Sequence, residues 1–232
     1  MPAGLTAWYQ GIDFEAIRDS LMIAAAAVLA ISVHESSHAL AAYWLGDDTA
    51  KRMKRISLNP LRHIDPIGFV MMVLFRFGWA KPVPVDMRRF KNPRLGMALT
   101  GAAGPISNIL LALLSGFGLW LTFYLWYPQI WAQSGPGYLL YTFFSLSCLL
   151  NAGLAVFNLI PISPLDGSKI LAIVLPEQAH LKLMQYERYG FFLLILLVYA
   201  GALSGPIVWL RDLLLEGISA VVQPLAKWIT GY

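Results

Sequence analysis

The chain has 232 residues, of which 58% are hydrophobic and only 13% are charged, and its formal net charge is +4. This composition excludes an ordinary soluble globular domain, and the single cysteine excludes a disulfide framework and a thiolate metal site. Asp, Glu, Lys and Arg are all absent from the 71 residues between Leu95 and Leu165. We therefore expect an all-α polytopic membrane protein with a bundle of about four to six transmembrane helices.

The domain organisation follows from the same apolar pattern. We expect a single membrane-embedded domain over residues 1–232, with a core at 20–175 and a C-terminal apolar hairpin or interfacial segment at 190–230. Residues 1–19 hold three acidic residues against one arginine, which is not the pattern of a cleavable signal peptide. The first span is therefore expected to act as its own insertion signal.

The first predicted span, residues 20–45, carries His34, Glu35 and His38 in its second half. Histidines four residues apart lie on one face of a helix, where both imidazoles can reach one metal ion. Glu35 lies about 100° round the helix from His34, within reach of a water on that ion. Ionisable side chains at this depth need a partner. The H-E-x-x-H pattern thus indicates a metal site, although a polar seam against a neighbouring helix also fits it.

A basic region follows the first span, with eleven of the seventeen Lys and Arg residues between Gly46 and Arg94. By the positive-inside rule, this region faces the cytoplasm. Within it, residues 67–80 are apolar, but fourteen residues interrupted by an arginine are too few for a helical span. We expect a re-entrant or β-hairpin element here. His63, just before it, is a spare metal ligand, part of a water entrance, or a plain loop histidine.

Two more spans are predicted at residues 95–126 and 138–160, and they are joined by an uncharged outer loop. A polar cytoplasmic loop at residues 176–189 and a fourth apolar stretch at residues 190–210 follow. The number of crossings after residue 190 stays open.

The third span ends in the sequence NLIPISPLDG, in which Pro161 and Pro164 cannot belong to a continuous helix. The helix is therefore expected to break after Ile160 and to resume near Gly167. An irregular turn inside the bilayer would hold Asp166 where a cation can satisfy its charge. The alternative is that Asp166 only caps the helix that follows.

These motifs resemble those of the site-2 protease family of intramembrane zinc metallopeptidases, in a short form without a PDZ or CBS domain. The resemblance is carried by HESSH at 34–38, GWAKPVPV at 78–85, GPISN at 104–108 and NLIPISPLDG at 158–167. It implies one Zn²⁺ per chain, bound by His34, His38 and Asp166. It also implies that Glu35 is the general base and that Asn158 binds substrate or steadies the oxyanion.

The resulting hypothesis is an intramembrane zinc metalloendopeptidase that hydrolyses peptide bonds within or near transmembrane helices of membrane-protein substrates, as in regulated intramembrane proteolysis. We expect a multi-pass protein of a prokaryotic cell membrane whose active site opens toward the cytoplasm. Val73 and Phe75 would contact an unwound substrate strand by β-augmentation. We expect no nucleic-acid partner, and the oligomeric state stays open.

Two non-catalytic alternatives remain: an inactive relative that binds membrane helices, and a divalent-metal carrier. Neither needs a general base, so the intact Glu35 argues against both.

Overall fold

The computed structural model describes residues 13–68 and 80–232, and the regular structure in these ranges is helical apart from one β-bridge. The α-helices are α1 Phe14–Trp44, α2 Thr49–Arg52, α3 Pro93–Leu125, α4 Tyr127–Trp131, α5 Gly135–Asn158, α6 Asp166–Val174, α7 Glu177–Tyr199 and α8 Ser204–Thr230. Short 3₁₀ turns occupy Pro60–Arg62 and Met87–Arg89.

Three of these helices, α1, α3 and α5, are long and apolar enough to cross a membrane, and α7 with α8 forms a fourth candidate that is bent by 85°. The described residues thus support three to four crossings, so the expected range of about four to six is met only at its lower limit. A fifth crossing would require α7 and α8 to cross separately. The first half of α7 is too polar for that, since Glu177 and Tyr189 enclose two lysine or arginine residues and a second glutamate.

Two of the long helices, α1 and α3, begin at a residue whose side chain caps the first turn. Asp13 accepts a hydrogen bond from the N–H of Ala16 at 2.9 Å and starts α1. Asn92 accepts one from Leu95 at 3.2 Å and starts α3, with Pro93 at the first helical position. Because the caps rather than hydropathy set these ends, α1 starts several residues before the predicted span.

Small side chains let the helices of the bundle approach closely. On α1, Ala26 and Ala30 are fully buried, and α3 packs against both α1 and α5. Between α3 and α5 the hydroxyls of Ser115 and Ser147 form a hydrogen bond of 2.9 Å. Such contacts replace the hydrophobic effect, which gives little driving force between helices in lipid.

Helix α8 closes one side of this bundle. Its Ile218 and Val222 are buried against a cluster that includes Ala112 of α3 and Ala152 of α5. The indole N–H of Trp120 donates a hydrogen bond to a side chain of α8, the Ser219 hydroxyl, at 3.1 Å.

The predicted element at residues 67–80 is described only at its ends. Ile64 and Ala80 form a single antiparallel bridge, and the N–H of Lys81 donates to the carbonyl of His63 at 2.8 Å. The two ends of the segment at residues 64–80 therefore lie side by side. No β-hairpin is present in the described residues, and residues 66–68 are helical. Residues 69–79, including Val73 and Phe75, lie outside the described residues.

One prediction in the C-terminal part is wrong. Residues 176–189 were expected to form a polar loop, but α7 runs without interruption from Glu177 to Tyr199. The polar part of α7 contains neither glycine nor proline before Gly190 and is rich in Leu, Lys, Gln, Glu and Met. These residues favour a helix, so polarity alone did not indicate a loop.

Candidate metal centre

The residues of the HESSH motif and of the LDG turn meet inside the bundle, although they are 132 positions apart. The Nε2 atoms of His34 and His38 are 3.0 Å apart, and each lies 3.1 Å from Oδ2 of Asp166. All three residues are buried, with exposed fractions of 7%, 6% and 5%. Among the described residues, this is the one group of three or more His, Cys, Asp or Glu side chains that could hold a metal ion.

The chemistry of these atoms fits a cation. Nδ1 of His38 lies 2.6 Å from the carbonyl of Thr100, which can only accept, so Nδ1 carries a proton and, in the neutral imidazole, Nε2 presents a lone pair. That lone pair faces a second imidazole nitrogen and a carboxylate oxygen. Tetrahedral zinc with bonds of about 2.0–2.1 Å would set its ligand atoms about 3.3 Å apart. The observed triangle is slightly smaller than this and matches the ligand types that zinc prefers.

Asp166 is presented by the break that Pro161 and Pro164 impose. Helix α5 ends at Asn158, and α6 begins at Asp166 itself. Gly167 is required here, because a Cβ on this residue would lie 2.2 Å from the carbonyl oxygen of Leu159. The predicted break and restart are therefore present, and the turn packs so tightly that only glycine fits beside the aspartate.

Helix α3 packs against the two histidine rings but provides no ligand. A Cβ on Gly104 would lie 2.5 Å from Cε1 of His34 and equally close to Nε2 of His38. The glycine of the GPISN motif is thus the surface against which both imidazoles rest. The sequence motif alone does not show which side chains this glycine admits.

Lys169 is a charged neighbour of the site that sequence analysis missed. Its Nζ lies 2.9 Å from Oδ1 of Asp166, so one carboxylate oxygen binds the lysine and the other faces the histidines. The spacing of three residues on a helix could have indicated this pair. Lys169 leaves Asp166 one oxygen to offer to an ion.

The other predicted site residues that the structure describes lie outside this triangle. Glu35 follows His34 on α1 and is half-buried. Asn158, also half-buried, uses one amide hydrogen to bond the carbonyl of Leu154 at 3.0 Å. His63 is fully buried, and its Nε2 lies 2.6 Å from the carbonyl of Ser57. His63 therefore stabilises the loop after α1 and does not belong to the metal-ligand group.

The loop that contains His63 is held in place by one buried arginine, Arg55. The guanidinium of Arg55, only 4% exposed, donates to the carbonyls of Arg62, Lys81 and Pro82, with the last bond 2.8 Å long. These carbonyls lie on both sides of residues 64–80. A second link joins Ser57 to the HESSH helix, because the N–H of Ser57 donates to the Ser36 hydroxyl at 3.1 Å. The two ends of this segment are thus tied to each other and to α1.

By fold and site, the molecule is a helical membrane protein with a buried His-His-Asp metal-ligand group beside a glutamate. Comparison with known proteins agrees. The sequence model of the family described as "Peptidase family M50" matches residues 130–199, which contain α5, the LDG turn, α6 and α7. A Bacillus subtilis protein named "Putative zinc metalloprotease YwhC" is 39% identical over 203 residues, covering 85% of this chain and 91% of its own length.

More distant relatives carry similar names. Proteins named "Putative zinc metalloprotease Rip2" are 27% identical in Mycolicibacterium smegmatis, over 79% of this chain and 69% of the relative, and 27% identical in Mycobacterium tuberculosis, over 93% and 83%. No solved structure matches the chain significantly. The chain belongs to Peptidase family M50, the family of the site-2 proteases. The resemblance inferred from the motifs is thus confirmed.

Proposed function

We propose that the chain is an intramembrane zinc metalloendopeptidase that cleaves peptide bonds within or near transmembrane helices of other membrane proteins. The observation that carries this proposal is the triangle of buried acceptor atoms from His34, His38 and Asp166 on a membrane helix and a proline-broken turn. Glu35 is adjacent to the first ligand, as a hydrolase requires and a simple metal-binding seam does not.

His34, His38 and Asp166 would hold the zinc ion, and Lys169 and the Thr100 carbonyl would orient two of these three side chains. When bound, zinc supplies a Lewis acid that makes water acidic and polarises a carbonyl. Glu35 accepts the proton of the attacking water and passes it to the leaving nitrogen of the scissile peptide bond. Asn158 keeps one amide hydrogen that Leu154 does not use, and this hydrogen can be donated to the developing oxyanion.

The depth of the site supports a substrate inside the membrane. His34 lies ten residues before the end of α1 at Trp44, which corresponds to about 15 Å along the helix. A transmembrane helix has its amides already paired, so it must unwind before a carbonyl can reach this depth. Substrate helices weakened by Gly, Pro or polar residues near the cytoplasmic side are therefore favoured.

The basic loops after α1 support an orientation in which the site opens toward the cytoplasm of a prokaryotic cell. Eleven of the seventeen Lys and Arg residues lie between Gly46 and Arg94, which follow the end of α1 nearest the site. We expect one zinc ion per chain.

The test is cleavage of a single-span substrate with a glycine-rich centre by the purified protein in liposomes, with and without a zinc chelator. Glu35→Gln should keep the zinc content and lower turnover by roughly 10²- to 10⁴-fold, the usual contribution of a general base. Glu216→Gln removes an exposed carboxylate on α8 and should change neither quantity. Zinc-independent cleavage, or full turnover by Glu35→Gln, would contradict the proposal. Metal transport retained in Glu35→Gln without any cleavage would favour a carrier.

A further inference from the structure

His34 lacks the hydrogen-bond partner that His38 has. A histidine that binds a metal through Nε2 carries its proton on Nδ1 and normally donates it to a carboxylate, a carbonyl or a water. His38 does so to the Thr100 carbonyl at 2.6 Å. Nδ1 of His34 is buried and has no such partner among the described residues. The position of the His34 ring is therefore incompletely explained by the ligand triangle.

Asn108, the last residue of the GPISN motif, also has buried polar atoms without a hydrogen-bond partner among the described residues. Its side chain is fully buried, yet neither Oδ1 nor Nδ2 has a hydrogen-bond partner in the part of the chain that the structure describes. A contact between helices, the ordinary role of a buried asparagine in a membrane bundle, would have satisfied these atoms. Buried amides without partners are rare and call for a bound water or ligand.

The geometry of α3 places the Asn108 amide and the His34 ring beside the same residue, Gly104. Asn108 follows Gly104 by one helical turn on the same face, and side chains of a helix lean toward its N-terminus. The Asn108 amide therefore covers the surface above Gly104. The His34 ring rests on that surface, since its Cε1, the atom bonded to Nδ1, would lie 2.5 Å from a Cβ on Gly104.

Another unpartnered atom nearby, Oγ1 of Thr100, is less suitable. Thr100 lies one turn before Gly104, so its side chain leans away from the His34 ring. Its backbone carbonyl already serves His38.

We propose that Asn108 is the positioning residue for His34 and that it acts through one buried water. Nδ1–H of His34 donates to this water, and the water donates to Oδ1 of Asn108. A water is required because the two side chains form no direct hydrogen bond, and buried waters characteristically occupy sites with several unsatisfied polar atoms. The link fixes the His34 tautomer in which Nε2 offers its lone pair to the ion. The inference rests on the zinc-binding part of the proposed function.

The experiment compares zinc affinity, measured by chelator competition, in the wild type and in Asn108→Leu and Asn151→Leu. Asn151 is the matched control: it lies on α5 and is fully buried, its Oδ1 is also unpartnered, and its Nδ2 donates to the Ser147 carbonyl at 2.9 Å. Asn108→Leu should weaken zinc binding roughly 10- to 100-fold, the usual effect of removing the outer partner of a ligand. Asn151→Leu should leave the affinity unchanged, and Asn108→Asp, which keeps an acceptor, should restore most of it.

A spectroscopic readout separates positioning from packing. In zinc-loaded protein labelled with ¹⁵N-histidine, the Nδ1–H signal of His34, assigned by comparison with His34→Gln, should shift in Asn108→Leu and stay in place in Asn151→Leu. Equal loss of zinc affinity in both leucine variants, or wild-type affinity in Asn108→Leu, would overturn this inference. A wild type that binds no zinc would instead overturn the proposed function.

Discussion

Gly104 and Gly167 shape the candidate metal centre because neither has a side chain. Gly167 lets the turn carrying Asp166 fold back against the Leu159 carbonyl, and Gly104 lets the two imidazoles lie on the backbone of α3. A Cβ on Gly104 would lie 2.5 Å from the ligand rings, and one on Gly167 would lie 2.2 Å from the carbonyl oxygen of Leu159. The centre thus depends on residues that touch the ligands or support their backbone without donating to the ion.

At the residue scale, Gly104→Ala should impair the site specifically. The added methyl group meets both His34 and His38 at 2.5 Å, so the rings or α3 itself must shift. We expect zinc affinity to fall roughly 10- to 100-fold, as for other changes next to metal ligands, when measured by chelator competition. Gly153→Ala on α5 is the control, because a Cβ there meets nothing within 4 Å. Unchanged zinc binding in Gly104→Ala would show that the rings rest elsewhere.

At the scale of elements, the loop after α1 is organised by one buried carboxylate. Asp47 is fully buried, and its oxygens accept the N–H groups of Thr49 at 3.0 Å and Asp86 at 2.7 Å. This joins the end of α1 to the chain that returns from the segment at 64–80. Burial acts to raise the pKa of Asp47, but these hydrogen bonds and the nearby Arg89 outweigh it and hold the pKa below its ordinary value.

The stability of this loop should therefore depend on pH in a defined direction. A carboxyl whose pKa is lowered by folding stabilises the protein above its unfolded pKa, about 3.9, and the contribution disappears as the pH falls through the lower folded value. Asp47→Asn should lower the midpoint of thermal unfolding at pH 7, and the difference from the wild type should shrink below about pH 4. Asp212→Asn, at an exposed aspartate of α8, is the control. A difference that is constant with pH would exclude an ionised Asp47 as the cause.

The elements that depend on local sequence were predictable, and those that depend on packing were not. The break between Asn158 and Asp166 follows from two prolines, and α3 and α5 follow from long uncharged runs. By contrast, the helix at the start of α7 required weighing helix propensity against polarity. The pairing of Lys169 with Asp166, and the contact of Gly104 with two histidines, became visible only once the helices were assembled.

At the scale of the whole molecule, the candidate metal centre joins distant parts of the chain. Its ligands come from α1 and from the start of α6, and α3 lies against both. Without a cation, the Asp166 carboxylate and two imidazole lone pairs would be held close together, and among the described residues Lys169 is the one lysine or arginine paired with Asp166. A bound cation therefore acts as a cross-link between helices in addition to its chemical role.

This cross-link predicts that zinc stabilises the folded bundle. A ligand that binds only the folded state adds about 2.7 kcal/mol when its free concentration is 100 times its dissociation constant. Chelation should thus lower the midpoint of thermal unfolding of the wild type in detergent, and added zinc should restore it. In Asp166→Asn the site loses its only carboxylate ligand, so chelator and zinc should leave the midpoint nearly unchanged. Asp212→Asn should respond as the wild type does. A wild-type midpoint that is insensitive to the chelator, with zinc shown to be removed, would mean that helix packing alone holds α1 and α6 together.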